Sequence, residues 1–575
     1  YFINAAKEEG KRAPKVDVHD EFTRRYADIY AAYDEQCQRE GSVDFPELLL
    51  RTFEVLERSQ SLREHYQNRF RHILVDEFQD TNRLQYRWLK LLAGPQSTLF
   101  AVGDDDQSIY RFRGANVGNM ADFEVDFRVQ NLIRLEQNYR SYGNILQAAN
   151  ALIANNKQRL GKNLWTSAGE GEPLRVYEAS SDGLEAAWLV EEVQALARDG
   201  YARREMAILY RSNAQSRVLE HALFSQGIPY RVYGGLRFFE RMEIKHALAY
   251  LRLIANPDDD GAFLRVVNFP ARGIGARSIE QLQDAATAAG GSLWQAAPRL
   301  QGKAGTSVGN FVRIIEKLRT DTAGLALPEI VDHMLEGSGL VAHYRTEKEG
   351  ADRVENLNEL VNAAAAFVAE AEEAQDLPAF LAHAALESGE NQAAEGTDAL
   401  QLMTVHTAKG LEFKAVFITG LEEGLFPHDQ SVNEEDGLEE ERRLMYVAIT
   451  RARERLYLSF AQTRLLHGQT RYNVASRFLD EIPAGLIRWL SAKKGYRAEE
   501  PAWSEASDDR ATTRAAARST WTSPFRIGQT VVHAKFGQGV IVNAEGSGAE
   551  ARVHINFGRH GMKWLALEYA KLEAA

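Results

Sequence analysis

Two adjacent carboxylates at the end of an apolar run are the residues of this chain most suited to chemistry. Ile73-Leu74-Val75 is apolar and partly β-branched, and it is followed directly by Asp76 and Glu77. The pattern predicts a buried strand whose carboxyl end carries both acids. One such acid can hold a magnesium ion through its water shell, and the other can polarise an attacking water. The chemistry indicated is nucleotide hydrolysis, although acid pairs also occur as solvated strand ends.

A second polar loop follows the next strand-like run of the chain, Leu99–Val102. Gly103 and three aspartates lead there to Gln107. Parallel α/β sheets place ligands at the carboxyl ends of their strands, and a glutamine in such a loop can sense a γ-phosphate or an attacking water. The loop favours a nucleotide site, with an aspartate-rich turn as the structural alternative.

Two arginines further along the chain are candidates for contacting phosphate. Tyr139 precedes Arg140, and such a pair can stack on a base and reach a phosphate, although the dipeptide is common. Arg451 lies near the end of Glu439–Ala452, whose acidic start and basic end predict a helix with charges matched to its dipole. Arg451 belongs either to that charge pattern or to a phosphate site, as an arginine finger.

Length and composition describe a multidomain globular chain. Its 575 residues exceed what one hydrophobic core supports, and no apolar run approaches the length of a membrane span. The net charge of -13 excludes a uniformly basic surface but is compatible with a local basic groove. Cys37 is the single cysteine, which excludes an internal disulfide and fits a reducing cytoplasm.

Apolar periodicity predicts two groups of strands separated by a helical insertion. Residues 1–70 are helical in pattern, and the two strands already named alternate with helical stretches, as in a parallel α/β sheet. A mostly helical stretch, 235–396, interrupts the second group of strands, which is typical of an inserted domain. The predicted strands of that group are Met206–Tyr210, Leu402–Val405, Ala415–Thr419 and Leu456–Phe460, and short glycine-punctuated strands follow at Gln529–Ala534, Val540–Val542 and Ala551–Phe557.

Five segments stand in a fixed order along the chain: DEFQD, GDDDQSIYRFRGA, LEQNYRS, TVHTAKGLEF and EERRLMYVAITRAR. This series resembles the motifs of superfamily 1A DNA helicases of the UvrD/PcrA/Rep group, and most closely its UvrD branch. The resemblance extends over essentially the whole chain, including HAKFGQG near the C-terminal end. It implies an α/β fold class with two RecA-like P-loop NTPase motor domains, the first incomplete, with inserted helical domains and a C-terminal small β-barrel (Tudor-like) module.

The same resemblance implies domain boundaries. It assigns 1–70 to the remainder of the helical insert of the first motor domain, 71–136 to the C-terminal part of that motor domain, 137–234 and 397–490 to the second motor domain, 235–396 to its helical insert, 491–524 to a flexible linker and 525–575 to the Tudor-like module.

ATP and Mg²⁺ are the cofactors that the resemblance implies, bound between the two motor domains. Asp76 would act on Mg²⁺, Glu77 would be the general base, and Gln107 would couple the γ-phosphate to the DNA site. Cations on several sides of the transferring phosphoryl group agree with the charge that spreads over its oxygens. The remaining implied contacts are Tyr139 with adenine, Arg140 and Arg451 with the γ-phosphate, and Glu412 with the ribose.

Tyr110 and Phe112 match family positions that stack on bases of single-stranded DNA. Stacking ignores sequence and is worth about 1–3 kcal/mol per base, which suits a translocating motor. Phe112 stands where a tryptophan is common, and Arg111 replaces a small residue and can add a phosphate contact. Burial of both aromatic residues in a core is the alternative.

Two further segments are implied to touch DNA. His406 lies in a segment that contacts DNA in the family, although a lone histidine is usually structural. Arg272, Gly273 and Gly275 lie in a segment resembling a helix-hairpin element, whose tight turns can offer backbone N–H groups to duplex phosphates. An ordinary turn between helices is the equal alternative.

The function implied is an ATP-dependent DNA helicase moving 3′ to 5′, in DNA repair and replication. Its partners would be single-stranded DNA and single/double-strand junctions, in a bacterial, nucleoid-associated cytoplasmic setting without a membrane. RNA polymerase or mismatch and excision repair proteins would dock on residues 525–575.

The sequence departs from the family at its beginning. No G-x-x-x-x-G-K-[ST] phosphate loop occurs between Tyr1 and Ala575, and the chain does not begin with methionine. We therefore expect an N-terminally truncated chain that is inactive alone. The alternative is a non-enzymatic remnant that binds DNA or docks partners. A helicase–nuclease subunit is disfavoured, since no carboxylate–lysine nuclease cluster is recognisable near the C-terminal end.

Overall fold

The computed structural model of the protein describes residues 2–157, 159–347, 350–370, 375–389, 397–432, 434, 436–466, 469–491, 529–545, 552–557, 562–567 and 570–574. The chain forms two compact units. Unit 1 comprises Tyr1–Tyr139, Ala149–Ser167 and Ser431–Val447, and unit 2 comprises Arg140–Ala148, Ala168–Gln430 and Ala448–Ala575. Nearly all of the linker predicted at 491–524 lies outside the described residues.

The first part of unit 1 is helical, as the sequence predicts, and then forms a short sheet. Its helices begin at favourable caps: the Asp44 side chain accepts from the Glu47 N–H, and Asn82 and Gln85 form a capping box. The elements in chain order are α1 Phe2–Glu8, α2 Glu21–Glu40, α3 Phe45–Arg58, α4 Gln60–Arg69, β1 His72–Val75, α5 Arg83–Leu92, β2 Thr98–Ala101 and α6 Gly118–Asp126.

Strands β1 and β2 pair in parallel, which confirms the predicted sheet type. Ile73 and Val75 pack on one face against a core of Phe78, Tyr86 and Leu89. The prediction that β1 is a buried strand is wrong in this structure: the side chains alternate, and Leu74 on the other face is 76% exposed. The acids that follow the strand therefore stand on a sheet edge open to solvent.

Unit 2 contains a parallel sheet of seven strands among the described residues. Their order is β11 (Ile487–Trp489), β3 (Leu174–Ala179), β8 (Ala452–Ala461), β7 (Phe413–Ile418), β4 (Met206–Tyr210), β6 (Leu400–Thr404) and β5 (Tyr230–Val232). The central strand β4 is buried at every residue, as its apolar run predicts for a sheet covered on both faces. The elements in this part of the chain are α7 Gly143–Ile153, β3 Leu174–Ala179, α8 Asp182–Arg198, β4 Met206–Tyr210, α9 Ser216–Ser225 and β5 Tyr230–Val232. Helix α7 begins in unit 2 and ends in unit 1.

A helical layer interrupts the sheet where the sequence predicts an insertion. One core of aromatic and aliphatic side chains, including Tyr250, Phe263, Phe311 and Phe380, joins its helices. The helices are α10 Met242–Ala255, α11 Asp260–Val266, α12 Ala276–Ala289, α13 Leu293–Ala296, α14 Gly302–Asp321, α15 Leu327–Gly337, α16 Leu340–Tyr344, α17 Gly350–Glu370 and α18 Leu377–Gly389.

The chain then returns to the parallel sheet. Val405–Gly410 is a turn that joins two strands of this sheet, and β4 lies between those two strands. The elements are β6 Leu400–Thr404, β7 Phe413–Ile418, α19 Asp429–Val432, α20 Gly437–Ile449, β8 Ala452–Ala461, the hairpin strands β9 Thr463–Leu466 and β10 Gln469–Tyr472, α21 Arg477–Asp480 and β11 Ile487–Trp489.

The C-terminal module is an antiparallel sheet around a small core of Val531, Ile541, Val553 and Ile555. Its strands are β12 Thr530–His533, β13 Gly537–Glu545, β14 Arg552–Asn556, β15 Met562–Ala566 and β16 Leu572–Ala574. They pair in the order β15-β14-β13-β12-β16. In the part of the chain that the structure describes, no helix has the length and apolar character needed to cross a membrane.

Candidate functional site

Asp76 and Glu77 are both exposed at the end of β1, as expected for residues that meet a ligand. The backbone N–H of Glu77 donates to Asp76 Oδ1 at 2.9 Å. Glu77 has a φ of 49°, in the left-handed region that residues other than glycine rarely adopt. Such strain persists where the surroundings impose it, and it is common at functional sites.

Gln79 holds Glu77 in place. Its Nε2 donates to Glu77 Oε2 at 2.6 Å, and its Oε1 accepts from the backbone N–H of Asp104 at 2.9 Å. Gln79 is 1% exposed, so these bonds start from a buried side chain, although Glu77 itself is exposed. Gln107 Nε2 in turn donates to Asp104 Oδ2 at 2.6 Å. The acidic strand end and the Gln107 loop are therefore joined through Gln79 and Asp104.

The contact between these two loops requires Gly103. A Cβ at this position would stand 2.8 Å from Gln79 Oε1 and 3.2 Å from Phe78 Cβ. The backbone of Phe78 also donates to the carbonyl of Val102 at 2.9 Å. A side chain at 103 would push the β2 loop away from the strand end. Sequence reasoning assigned no role to Gln79, although it stands inside the DEFQD motif.

Asp104 and Asp106, two of the three aspartates after Gly103, are paired with two cations that the sequence did not single out, while Asp105 accepts from the backbone N–H of Leu160 at 2.7 Å. Arg159 makes a bidentate ion pair with Asp106, with Nε–Oδ1 and Nη2–Oδ2 both at 2.7 Å. Lys162 bonds Asp104 and lies 3.4 Å from Asp106 Oδ2. Burial raises the pKa of the Asp105 carboxyl, and the Asp106 hydrogen bond raises the pKa of Arg159. The only sequence signal was that three adjacent acids need cations nearby.

Tyr110 and Phe112 form an aromatic pair beside this loop. Their ring centroids are 6.0 Å apart, and the Arg113 guanidinium lies 5.3 Å from the Tyr110 centroid and 5.4 Å from that of Phe112. Phe112 is 54% exposed, which argues against the core alternative. A cation beside two aromatic rings suits a single strand, since it adds phosphate attraction to base stacking.

Arg111 has an exposed side chain next to these rings. Its backbone N–H donates to Glu440 Oε1 at 3.3 Å, and burial raises the pKa of the Glu440 carboxyl. Both residues line a cavity of about 510 Å³ together with Arg159 and Arg443. Arg111 is thus anchored through its backbone N–H, and the residue is exposed.

In unit 2, Arg140 and Glu412 lie together at the turn before β7. Arg140 Nε donates to Glu412 Oε2 at 2.5 Å, and Arg453 lies 3.5 Å from the other carboxylate oxygen. Arg451 adjoins the same turn: its Nη1 donates to the carbonyl of Leu411 at 3.1 Å, and its own carbonyl accepts from the Phe413 N–H. Arg451 is 2% exposed, so its guanidinium is buried in this structure.

Tyr139 and His406 were predicted to meet adenine and DNA. Tyr139 is 83% exposed and donates from its hydroxyl to Gln137 Oε1 at 3.0 Å, which leaves the ring face accessible. His406 is half-buried in the turn after β6. Both roles remain predictions.

Arg272, Gly273 and Gly275 lie in the loop between α11 and α12. The Arg272 guanidinium donates to the Tyr250 hydroxyl and to the carbonyls of Val266, Pro270 and Ser338, so it holds the loop to the helical layer. Gly273, with φ of 71°, and Gly275 are exposed. Any phosphate contact here would come from the glycine turn rather than from the Arg272 side chain.

Comparison with known proteins gives the family. Residues 1–128 match the UvrD/REP helicase N-terminal domain, 133–463 the UvrD-like helicase C-terminal domain and 527–573 the PcrA/UvrD tudor domain. The chain is 47% identical to DNA helicase II of Escherichia coli (strain K12) over 585 residues, covering 100% of this chain and 80% of that protein. It is 40% identical to the ATP-dependent DNA helicase PcrA of Bacillus subtilis (strain 168), covering 95% of this chain and 76% of that protein.

The parallel sheet, the helical layer inserted into it and the antiparallel C-terminal module define an α/β helicase fold with a C-terminal Tudor-like domain. The chain belongs to the UvrD/PcrA family of DNA helicases. The predicted fold class, the enzyme class and the UvrD/PcrA resemblance are confirmed by these matches. The domain boundaries predicted from the sequence stay predictions.

Proposed function

We propose that the protein is a 3′-to-5′ translocase and helicase that uses ATP with Mg²⁺ and moves on single-stranded DNA from a single/double-strand junction. The observation that carries this proposal is the hydrogen-bonded series from Glu77 through Gln79 and Asp104 to Gln107. Three residues after Gln107 the chain reaches Tyr110 and its aromatic neighbour. The series joins a candidate hydrolytic carboxylate to a candidate DNA-stacking pair within one unit.

For ATP hydrolysis we assign Asp76 to Mg²⁺ and Glu77 to the attacking water. Carboxylate oxygens are ligands that Mg²⁺ accepts, and Asp76 is exposed at the strand end, so the residue fits the ion. When bound, Mg²⁺ would offset charge on the phosphate oxygens. Glu77 would accept the proton of the water, and Gln107 would respond to the γ-phosphate. The remaining assignments are Tyr139 to adenine, Glu412 to the ribose, and Arg140 and Arg451 to the γ-phosphate.

Arg451 needs a local rearrangement for that role. Its guanidinium donates to Leu411 O and to Thr450 Oγ1, both at 3.1 Å. These acceptors are neutral, and an anionic phosphate oxygen makes a stronger, charge-assisted bond with arginine. Exchange of a carbonyl for a phosphate oxygen is therefore favourable once the nucleotide is present. Arg140, by contrast, already pairs with an acid, Glu412. It would either keep that ion pair or exchange it for one with the γ-phosphate.

For DNA we assign Tyr110 and Phe112 to base stacking and Arg111 to phosphate, with lesser roles for His406 and the Gly273–Gly275 turn. The exposure of Phe112 and the cation beside both rings support this assignment. We further propose roles in DNA repair and replication, in the cytoplasm with the nucleoid, and docking of RNA polymerase or repair proteins on the Tudor-like module. The relatives named DNA helicases support a role on DNA, and the single cysteine fits a reducing cytoplasm.

The test uses the chain joined to a loop-bearing N-terminal segment of the family. It measures ATP hydrolysis with and without single-stranded DNA, together with displacement of a strand from duplexes that carry a 3′ or a 5′ tail. We expect DNA to stimulate ATP turnover, and unwinding only from the 3′ tail. Unwinding from the 5′ tail alone would overturn the polarity. DNA binding with no ATP turnover, in protein that carries a phosphate loop, would favour the non-enzymatic DNA-binding alternative.

The absence of a G-x-x-x-x-G-K-[ST] segment from these 575 residues adds a prediction about the chain alone. We expect no ATP turnover without such a loop, and turnover once the chain is joined to a loop-bearing N-terminal segment of the family. Turnover by the chain alone would mean that other residues bind the phosphates.

A further inference from the structure

Two histidines and a glutamate, none of them assigned to ATP or DNA, come together at one point of unit 2. His221 lies on α9, which packs on the parallel sheet, and His383 and Glu387 lie on α18 of the helical layer. His383 and Glu387 are four residues apart and so share one face of their helix. The two helices are distant in sequence, and the fold alone brings the three side chains together.

One nitrogen atom of each imidazole lies close to the same carboxylate oxygen, Glu387 Oε1. His221 Nδ1 lies 2.6 Å and His383 Nε2 lies 3.0 Å from Glu387 Oε1. One ligand atom from each of the three residues lies within 4.8 Å of the other two. Ligand atoms about 2.0–2.1 Å from a tetrahedral zinc ion stand about 3.3 Å apart. Starting from 2.6 Å and 3.0 Å, the contact of Glu387 with His221 would need to open by about 0.7 Å and the contact with His383 by about 0.3 Å.

The space for an ion is present. A cavity of about 20 Å³ is lined by the three side chains and by Phe239, Phe367 and Phe380, among others. That volume holds about one water molecule or one ion. The His383 ring lies 5.2 Å from the Phe367 ring, which restricts its orientation. The Glu387 side chain is 8% exposed and the His221 and His383 side chains are 25% and 30% exposed, so an ion can enter from the histidine side.

The charges around the cavity permit a cation. Arg217 also lines it, but its Nε pairs with Glu359 Oε1 at 2.5 Å. Arg237 pairs with Glu240 at 2.9 Å and donates to the carbonyl oxygens of Glu387 and Ser388. Both arginines are therefore matched by their own acids. The Glu387 carboxylate remains as the counter-charge for an ion between the imidazoles.

We propose that His221 Nδ1, His383 Nε2 and the Glu387 carboxylate form a site for a divalent transition metal ion of the zinc class, with water in the fourth position. Two imidazoles favour such an ion over Mg²⁺ or Ca²⁺, which prefer all-oxygen ligands. The ion would replace the protons that now bridge the imidazoles and the carboxylate. The ion would cross-link α9 and α18 and thereby hold the helical layer to the parallel sheet.

The test uses the full chain, freed of metal with a chelator, and measures Zn²⁺ by equilibrium dialysis and Co²⁺ by its visible absorption. We expect one tightly held ion, with the d–d bands of four-coordinate Co²⁺. His383→Ala and Glu387→Gln should each weaken binding by more than about 100-fold, since loss of a ligand exceeds the effect of an outer partner. His333→Ala is the matched control, because His333 is an exposed helical histidine of the same layer.

Thermal unfolding gives a second readout that does not depend on helicase activity. Zn²⁺ should raise the melting temperature of the wild type and of His333→Ala but not of Glu387→Gln. Equal Zn²⁺ binding by wild type and ligand variants, or an octahedral Co²⁺ spectrum, would overturn the proposal. In that case the cluster is held by protons alone. The Co²⁺ spectrum of the wild type decides the matter even where a variant fails to fold.

Discussion

At the scale of single residues, the strained Glu77 is the centre of the candidate hydrolytic site. Its left-handed backbone and the Gln79 hydrogen bond fix where the carboxylate stands before any nucleotide binds. A general base acts only within hydrogen-bond reach of its proton, so a prepositioned carboxylate lowers the cost of reaching the transition state. Glu77 and Gln79 therefore make separable contributions to turnover.

Replacing Glu77 by Gln removes the base and keeps the shape. We expect ATP turnover to fall by roughly 10²–10⁴-fold, with ATP and DNA binding retained. Steady-state hydrolysis and nucleotide titration of a loop-bearing protein measure both quantities. Turnover near that of the wild type would show that another group accepts the proton.

Replacing Gln79 by Leu removes its hydrogen bonds to Glu77 and Asp104 but keeps the Glu77 carboxylate itself. Because Gln79 positions rather than reacts, we expect kcat to fall by roughly tenfold with the KM for ATP nearly unchanged. Stimulation by DNA should fall as well, since the route to Gln107 is broken. A lower affinity for ATP with normal kcat would instead mean that Gln79 serves binding.

Phe112→Ala tests the stacking pair. The loss of one aromatic platform should weaken single-stranded DNA binding by about 1–3 kcal/mol, without preference for base sequence. Phe45→Ala is a suitable control, because Phe45 is 90% exposed on α3. Fluorescence titration with a labelled oligonucleotide compares the two variants. Equal affinities would remove Phe112 from the DNA interface.

At the scale of elements, the loop after β2 depends on the segment that carries Arg159 and Lys162. Asp106 is 1% exposed and is neutralised mainly by its two bonds from Arg159. A buried carboxylate that loses its partner keeps the free-energy cost of desolvation, and no ion pair offsets it. The loop that carries Gln107 is therefore ordered by a cation more than fifty residues further along the chain.

Arg159→Ala should destabilise unit 1 by roughly 2–4 kcal/mol, since Lys162 compensates only in part. We also expect faster amide hydrogen exchange in the loop of residues 103–110. Lys157→Ala, an exposed neighbour in the same segment, should change neither quantity. If exchange in the loop is unaltered by Arg159→Ala, the ion pair does not order it.

At the scale of the whole molecule, we expect a buried histidine of the helical layer to contribute to the loss of stability in acid. His246 on α10 stacks on Phe269 with ring centroids 3.9 Å apart, and its Nδ1 lies 2.8 Å from the Tyr344 hydroxyl. Burial, together with the positive charges of Arg265, His343 and Arg353, lowers the pKa of His246 to about 4 from its usual 6.5. The folded helical layer therefore resists protonation that the unfolded chain accepts.

The lower pKa of His246 in the folded chain makes the stability of the protein depend on pH. Between pH 6.5 and about 4 the unfolded chain binds a proton at this position and the folded chain does not, so stability falls as the pH falls through that window. We expect the wild type to lose up to about 3 kcal/mol more than His246→Gln over the window. Thermal unfolding of both proteins across this range measures the difference. Parallel pH profiles would exclude His246 as a source.

The sequence alone determined the family, the order of the motifs and the elements with strong periodicity. Met206–Tyr210 was predicted residue for residue, because a continuous apolar run suits a strand covered on both faces. The helical insertion and the acids after β1 were likewise evident, since they depend on local pattern. The short strand β5 and the edge strand β11 were not predicted, because three-residue strands carry too little pattern to stand out.

Only the tertiary structure decided which distant side chains meet. Gln79 and Asp104, Arg159 and Asp106, Arg140 and Glu412, and the His221–His383–Glu387 cluster are pairings across long sequence separations. No local pattern specifies such a contact, because each depends on how elements cross in space. The exposure of Leu74 was missed for the same reason: the apolar run predicts a strand, but burial depends on what packs against each face.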